Sequence, residues 1–251
     1  EDNTYTSTLD IIAYVKITYG VSYTQQGMCD WLSKHHFSYK KPKEAPAKAD
    51  PAKQQQFINE YTQLKRTAPK DEPILFMDSV HPTQATKVTY GWIKTGTDKL
   101  IASTASRTRI NITGALNLAS MSVIHNNYTA VNAATTIDFF RLLEIQYPEA
   151  PQIHVILDQS GYHRSNEIAE FVKNSRIVIH FLPPYSPNLN PIERLWKVMN
   201  DKVRNNKVFE TAKKFKSTIL GFFTEILPNI KEELRSRIND NFHILKPGSS
   251  I

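Results

Sequence analysis

Two apolar runs of matching design, "EPILFMDSV" (72–80) and "QIHVILDQS" (152–160), each lead straight into an aspartate. Runs this short, continuous rather than alternating, and closed by polar residues fit strands buried on both faces. A third run, "IVIHFL" (177–182), has the same texture. Strands of this kind need cover on both sides, which restricts the chain to a sheet flanked by helices. The intervening segments supply the cover. "NAATTIDFFRLLEIQY" (132–147) places Ile137, Phe140, Leu142 and Leu143 on one helical face, and "SNEIAEFVKN" (165–174) reads as a helix capped by Ser165 or Asn166. "KVTYGWIKTG" (87–96) and "RTRINITGALNLA" (107–119) are rich in β-formers and are expected to complete a meander with the first strand. The order β-β-β-α-β-α-β-α predicts an α/β fold with a mixed five-stranded sheet.

The N-terminal part has a different texture. "LDIIAYVKITY" (9–19) has helical periodicity, Gly20 breaks it, and "QQGMCDWLSKH" begins after Thr24, the outline of a helix-turn-helix. "YKKPK" (39–43) contributes Lys40, Lys41 and Lys43. The Pro-, Ala- and Lys-rich stretch 42–56 reads as a linker, followed by a polar helix over about residues 54–67. The expected organisation is a helix-turn-helix unit over 1–41, a basic linker and helix over 42–70, and a catalytic domain over 71–251.

Charge placement narrows the partner. The net charge is +7; residues 34–70 hold nine Lys/Arg against three Asp/Glu, residues 194–237 hold eleven against five, and the remainder sums to −5. Two basic tracts on an otherwise mildly acidic chain suit a polyanion such as nucleic acid, although solvated helix faces have the same composition. The single cysteine, Cys29, excludes an internal disulfide framework and a cysteine-rich zinc site. No apolar run approaches the roughly 18–20 residues of a membrane span, and no signal peptide is evident. The chain starts at Glu1 rather than methionine, so a fragment lacking an upstream part is expected.

The acids carry the chemistry. Asp78 and Asp158 each end an apolar strand, and Glu193 follows the last one in "LPPYSPNLNPIERLW" (182–196). Strand ends are where α/β sheets build sites, and three carboxylates make a hard-oxygen set suited to Mg²⁺ or Mn²⁺. Asn190 as cap, Pro191 at the first helical position and Glu193 at the third would form a capping box that also aims the carboxylate. Taken singly, a strand-end aspartate is as readily an Asx-turn. The three together are the signal.

"FMDSVHPTQ", "ILDQSGYHRS" and "LPPYSPNLNPIERLW" resemble the three catalytic blocks of DDE transposases of the mariner superfamily, in its bacterial insertion-sequence branch. Thirty-four residues separate Asp158 from Glu193, as that branch has. "YGWIKTG" and "RINITGALN" fall where such proteins carry their second and third strands. The resemblance covers residues 71 to about 205, and only one of two usual helix-turn-helix units has a counterpart. It implies an RNase H-like fold in which Asp78, Asp158 and Glu193 are catalytic and hold two Mg²⁺ ions, with Mn²⁺ a substitute. One ion would activate the attacking oxygen and the other stabilise the leaving one. The implied function is cleavage of double-stranded DNA at transposon terminal inverted repeats and strand transfer into target DNA, at TA, by a homodimer on DNA. The implied location is bacterial cytoplasm, at the nucleoid. Other readings are an RNase H-like nuclease or resolvase, or a transposase-derived DNA-binding protein without catalysis.

Around these acids, His81, Gln84, His163 and Arg164 are candidate rim residues facing DNA, or merely solvated ones. Tyr185 is a candidate for stacking on an unpaired base. Lys197, Lys202, Arg204 and Lys207 are candidates for phosphates. Asn188 and Asn190 are explained by turn and cap, Trp196 by the core. The tail 213–237 is expected to pack Ile219, Phe222, Phe223, Ile226 and Leu227 into the core, with a dimer contact as the alternative.

Overall fold

The computed structural model describes residues 4–41, 46 and 48–246. It divides into a small unit within the first 47 residues and a larger one, Lys48–Lys246. In the small unit, α1 (Thr8–Tyr19) is capped by the Ser7 hydroxyl, which accepts from Leu9 N–H. It stops at Gly20, whose φ of 69° is the left-handed conformation a helix stop of this kind requires. α2 (Gln25–Lys34) opens on Thr24, whose hydroxyl accepts from Gly27 N–H. The expected helix-turn-helix is present. Lys40 and Lys41 are exposed beyond it, and Lys43 lies outside the described residues.

The larger unit starts with α3 (Pro51–Thr67), three residues earlier than the polar pattern suggested. Asp50 accepts from the N–H groups of Ala52 and Lys53, and Pro51 occupies the first turn. The sheet comprises β1 (Ile74–Val80), β2 (Asn111–Asn117), β3 (Ser122–Tyr128), β4 (Ile153–Leu157) and β5 (Ile177–Phe181), in the order β3-β2-β1-β4-β5. β1 pairs antiparallel with β2 and parallel with β4; β2–β3 is antiparallel and β4–β5 parallel. With α4 (Ala133–Gln146), α5 (Asn166–Lys173) and α6 (Ile192–Val203), this is the RNase H-like arrangement.

Two strand assignments are corrected. Residues 87–96 form no strand, and the third strand is β3, formed from "SVIHNNY". Met121, at φ 53°, closes a tight hairpin that delivers β3 to the free edge of β2. That edge is then filled, and residues 87–96 pair with no strand of the sheet. Tyr90 and Trp92 are fully exposed there.

The core has three parts. On one face, Leu75, Met77, Val155 and Leu157 pack with Phe139, Phe140 and Leu143 of α4 and Ile168 of α5. On the other, Phe76 and Ile156 pack with Phe57 and Tyr61 of α3, and with Leu182 and Leu189. Beside these, Ile112 and Leu116 of β2 meet α6 and the tail, which comprises α7 (Ala212–Gly221), a π-helical turn (Phe222–Ile226) and α8 (Leu227–Leu234). Phe215, Ile219, Phe222, Phe223, Leu227 and Leu234 are buried, so the apolar face of the tail belongs to this core. Each such side chain contributes roughly 1.5–3 kcal/mol by burial.

Candidate active site

The parallel pairing of β1 and β4 sets Phe76 opposite Ile156. Asp78 and Asp158 each lie two residues further on, so the register carries both to the same end of the sheet. α6 then begins at Ile192 and brings Glu193 in its first turn.

The capping box is corrected. Pro191 flanks the helix with no side-chain cap, and Glu193 is the second helical residue rather than the third. Asn190, 4% exposed, does not cap; its Nδ2 donates to the Met77 carbonyl of β1 at 3.2 Å. A buried amide needs a partner, and the adjacent strand offers one. The bond moors the start of α6 one residue from Asp78. The proline loop is tied down further by Asn188, whose Nδ2 donates to Gln54 Oε1 on α3 (3.0 Å) and to the His243 carbonyl (2.8 Å).

The acids differ in environment. Asp158 is exposed but well held: His163 Nδ1 donates to Oδ1 at 2.8 Å and Ser160 Oγ to Oδ2 at 2.8 Å. Chiefly through His163, its pKa is drawn down to about 2. Asp78 is pushed the other way, up to about 7, first by burial and then by the charge of Glu193, with Asp158 adding to it. The indole N–H of Trp196, 2.8 Å from Asp78 Oδ2, opposes that rise. Glu193 is also raised, by burial and by Asp158, against the pull of Lys197. The three carboxylates therefore share one electrostatic site. Among the described residues no three His, Cys, Asp or Glu side chains are set closely enough to hold a metal ion as they stand.

Several residues expected at the rim or at DNA phosphates are turned inward. His163 is 5% exposed, its ring engaged with Asp158. Gln84 is 8% exposed; its amide donates to the Phe209 carbonyl and accepts from Ser106 Oγ. Arg204 is half-buried, donating from Nε and Nη2 to the carbonyl and hydroxyl of Thr83 at 2.9 Å each. Burial lowers its pKa. In all three the polar head is directed at the protein's own polar groups, because those groups would otherwise be desolvated without partners. His81, Arg164, Tyr185, Lys197, Lys202 and Lys207 are exposed. His81 Nδ1 lies 2.9 Å from Asn111 Oδ1, Lys207 Nζ donates to the Lys202 carbonyl at 2.7 Å, and Tyr185 has Lys48 over its ring at 5.9 Å.

Trp196 was expected only in the core. It is 3% exposed, yet it also touches Asp78. The available signal was its spacing: three residues after Glu193, it shares that residue's helical face.

With this geometry established, comparison with known proteins is direct. Residues 73–216 match the family model described as DDE superfamily endonuclease. The chain belongs to that family. Residues 2–61 of this DDE superfamily endonuclease also match a winged helix-turn-helix model. Over 137 residues it is 26% identical to the insertion element IS630 uncharacterized 39 kDa protein of Shigella sonnei, covering 54% of this chain and 40% of the relative. Over 56 residues it is 39% identical to the uncharacterized protein y4pE/y4sA of Sinorhizobium fredii, covering 22% and 39%. The matched part thus spans about two fifths of the length of either relative. Among solved structures, the Mos1 transposase paired-end complex with left transposon end superposes with TM-score 0.64 at 15% identity, covering 97% of this chain and 82% of that one. The mariner Mos1 paired end complex with Mg gives 0.67 at 15%, covering 95% and 76%. At such identity these likenesses speak for the fold.

Proposed function

We propose that this DDE superfamily endonuclease is the catalytic region, with part of the DNA-binding region, of a cut-and-paste transposase. What supports the reading is that the charges of Asp78 on β1, Asp158 just past the adjacent β4 and Glu193 in the first turn of α6 act on one another. In this reading residues 1–41 are the DNA-binding helix-turn-helix, 42–70 a basic linker and helix, and 71–251 the catalytic domain.

The donor set fits a hard divalent cation. It offers carboxylate oxygens, and the neighbouring imidazoles are engaged, His163 with Asp158 and His81 with Asn111. Two Mg²⁺ ions, or Mn²⁺ in their place, would supply Lewis acidity for an in-line phosphodiester displacement. Asp78, Asp158 and Glu193 would hold them. Asp158 stays ionised throughout the neutral range, His163 and Ser160 fixing its carboxylate. Exposed Arg164, Lys197 and Lys202 would bind backbone phosphates, with His81 and Tyr185 beside the cut. Lys40, Lys41 and Lys43 would serve the N-terminal unit. The substrates are transposon terminal repeats and target DNA, with TA as the insertion site, and the working unit is a dimer on DNA. The exposed Tyr90 and Trp92 offer apolar surface for assembly. The proposed location is the bacterial cytoplasm; among the described residues no helix is long and apolar enough to cross a membrane.

The test is a strand-transfer assay with Mg²⁺ or Mn²⁺, pre-cleaved terminal DNA and a supercoiled plasmid containing TA. Joined product that disappears in Glu193→Gln and Asp158→Asn, with DNA binding retained, supports the reading. Nicking without joining would assign a hydrolytic nuclease instead. Equal activity in either variant would sink the catalytic assignment.

A further inference from the structure

We propose that Trp196 is a positioning residue for Asp78: its indole N–H occupies Oδ2, so that Asp78 presents Oδ1 alone to a divalent cation. The proposal rests on the reading of Asp78 as a metal ligand.

Core packing accounts for the indole's burial but not for where its one polar atom points. A buried tryptophan N–H takes a partner, and most side-chain hydrogen bonds in proteins go to backbone or water. Here Nε1 instead reaches a carboxylate on β1 at 2.8 Å, 118 positions away in the sequence. The ring is held in that orientation from below. In the β1–β2 register, Asp78 is paired with Gly114. A Cβ at residue 114 would lie 2.6 Å from Trp196 Cη2 and 3.2 Å from Cζ2. A glycine directly across from Asp78 therefore lets the indole lie against the backbone of β2. Phe223 packs edge-on to the same ring, with centroids 6.2 Å apart.

The consequence follows from carboxylate stereochemistry. An ionised carboxylate offers about four lone-pair positions on two oxygens. Chelation through both oxygens would force the cation to share Oδ2 with the indole proton. Coordination through Oδ1 alone leaves the hydrogen bond intact. Donors of this kind fix ligand orientation, and their removal typically weakens metal binding by roughly 10- to 100-fold. Glu193 and Trp196 lie three residues apart on α6, so one helix face carries a ligand and the group that orients a second ligand.

The experiment is a Mn²⁺ titration of the full chain, read as loss of the free-ion electron paramagnetic resonance signal. Wild type, Asp78→Asn, Trp196→Phe and Gly114→Ala are compared, with circular dichroism to verify folding. Trp196→Phe keeps an aromatic ring over Gly114 and loses the N–H; Gly114→Ala keeps the N–H and displaces the ring. Expected are loss of the site in Asp78→Asn and a roughly 10- to 100-fold weaker affinity in the other two. In the cleavage assay, Trp196→Phe should need correspondingly more Mg²⁺ and recover at saturation, which a purely structural defect would not do. Loss in Asp78→Asn with wild-type affinity in Trp196→Phe overturns the proposal and leaves the metal-ligand reading standing. Unchanged affinity in Asp78→Asn overturns both. Should the Trp196 and Gly114 variants misfold, ¹⁵N-indole-labelled wild type decides: a Trp196 N–H resonance that Mg²⁺ shifts in wild type but not in Asp78→Asn supports the proposal, and an unmoved one overturns it.

Discussion

Asp78→Asn should stabilise the chelator-treated protein at neutral pH and leave it nearly unchanged in acid. The carboxyl is raised from 3.8 to about 7 by burial and by the charges of Glu193 and Asp158. The folded state therefore keeps a proton over a window, pH 4 to 7, in which the unfolded chain has released it. Where the folded state binds more protons, stability falls as pH rises. A difference of about 3 pKa units at about 1.4 kcal/mol each sets a ceiling on the order of 4 kcal/mol. Glu193 shifts in the same direction, whereas Asp158, drawn down to about 2, contributes stability that is lost only below the window. The assay is urea unfolding in EDTA from pH 4.5 to 7.5, comparing wild type with the variant so that common titrations cancel. The stability gap should widen steadily in the variant's favour as pH rises. Saturating Mg²⁺ at pH 7.5 should close it for wild type alone, since a cation relieves the repulsion a proton otherwise relieves. A pH-independent gap would refute the claim that burial and neighbouring acids strain Asp78.

Three further predictions separate mooring from contact. Asn190→Ala removes the bond to Met77 and leaves a strand carbonyl short of a partner, costing about 1–3 kcal/mol in urea unfolding. Cleavage should fall further than DNA affinity. Lys197→Ala and Lys202→Ala should each reduce the salt dependence of DNA binding by about one counterion without lowering the melting temperature. Arg204→Ala should do the reverse, because its guanidinium braces Thr83.

The strands that carry Asp78 and Asp158 were legible because both faces are buried, which writes the strand as an unbroken apolar run. β3 was not legible, since no residue of this edge strand is fully buried; "SVIHNNY" satisfies its ladder with hardly any hydrophobic signature. Residues 87–96 show the opposite error. Val88, Thr89, Tyr90 and Trp92 have strand propensity, but propensity in β-structure expresses fit to a neighbouring strand, and these residues lie against none. His163 and Gln84 were placed at the rim, and Arg204 among the phosphate contacts, by nearness in sequence to the acids and to the basic tract. Nearness cannot say whether a polar side chain turns outward to a ligand or inward to an orphaned carbonyl. The capping box failed for a related reason: Asn-Pro at a helix start has the composition of a cap, and only the tertiary structure shows the amide turned so that Nδ2 meets the Met77 carbonyl while Oδ1 caps nothing.

The proline loop is therefore explained by what α6 must deliver rather than by how the helix is capped. Leu182 and Leu189 sink into the core under α3, Asn188 ties the loop to Gln54 and His243, and Asn190 ties it to β1. Each anchor removes a way for α6 to turn about its axis. That matters because successive helical residues are about 100° apart. A one-residue slip would carry Glu193 away from the aspartates and, on the same rotation, lift the Trp196 indole from Gly114 and from Asp78. Glu193 and Trp196 are thus placed by a single constraint. A loop anchored at several points, with prolines limiting its backbone, is what allows one surface helix to hold a carboxylate and an indole against a strand end together.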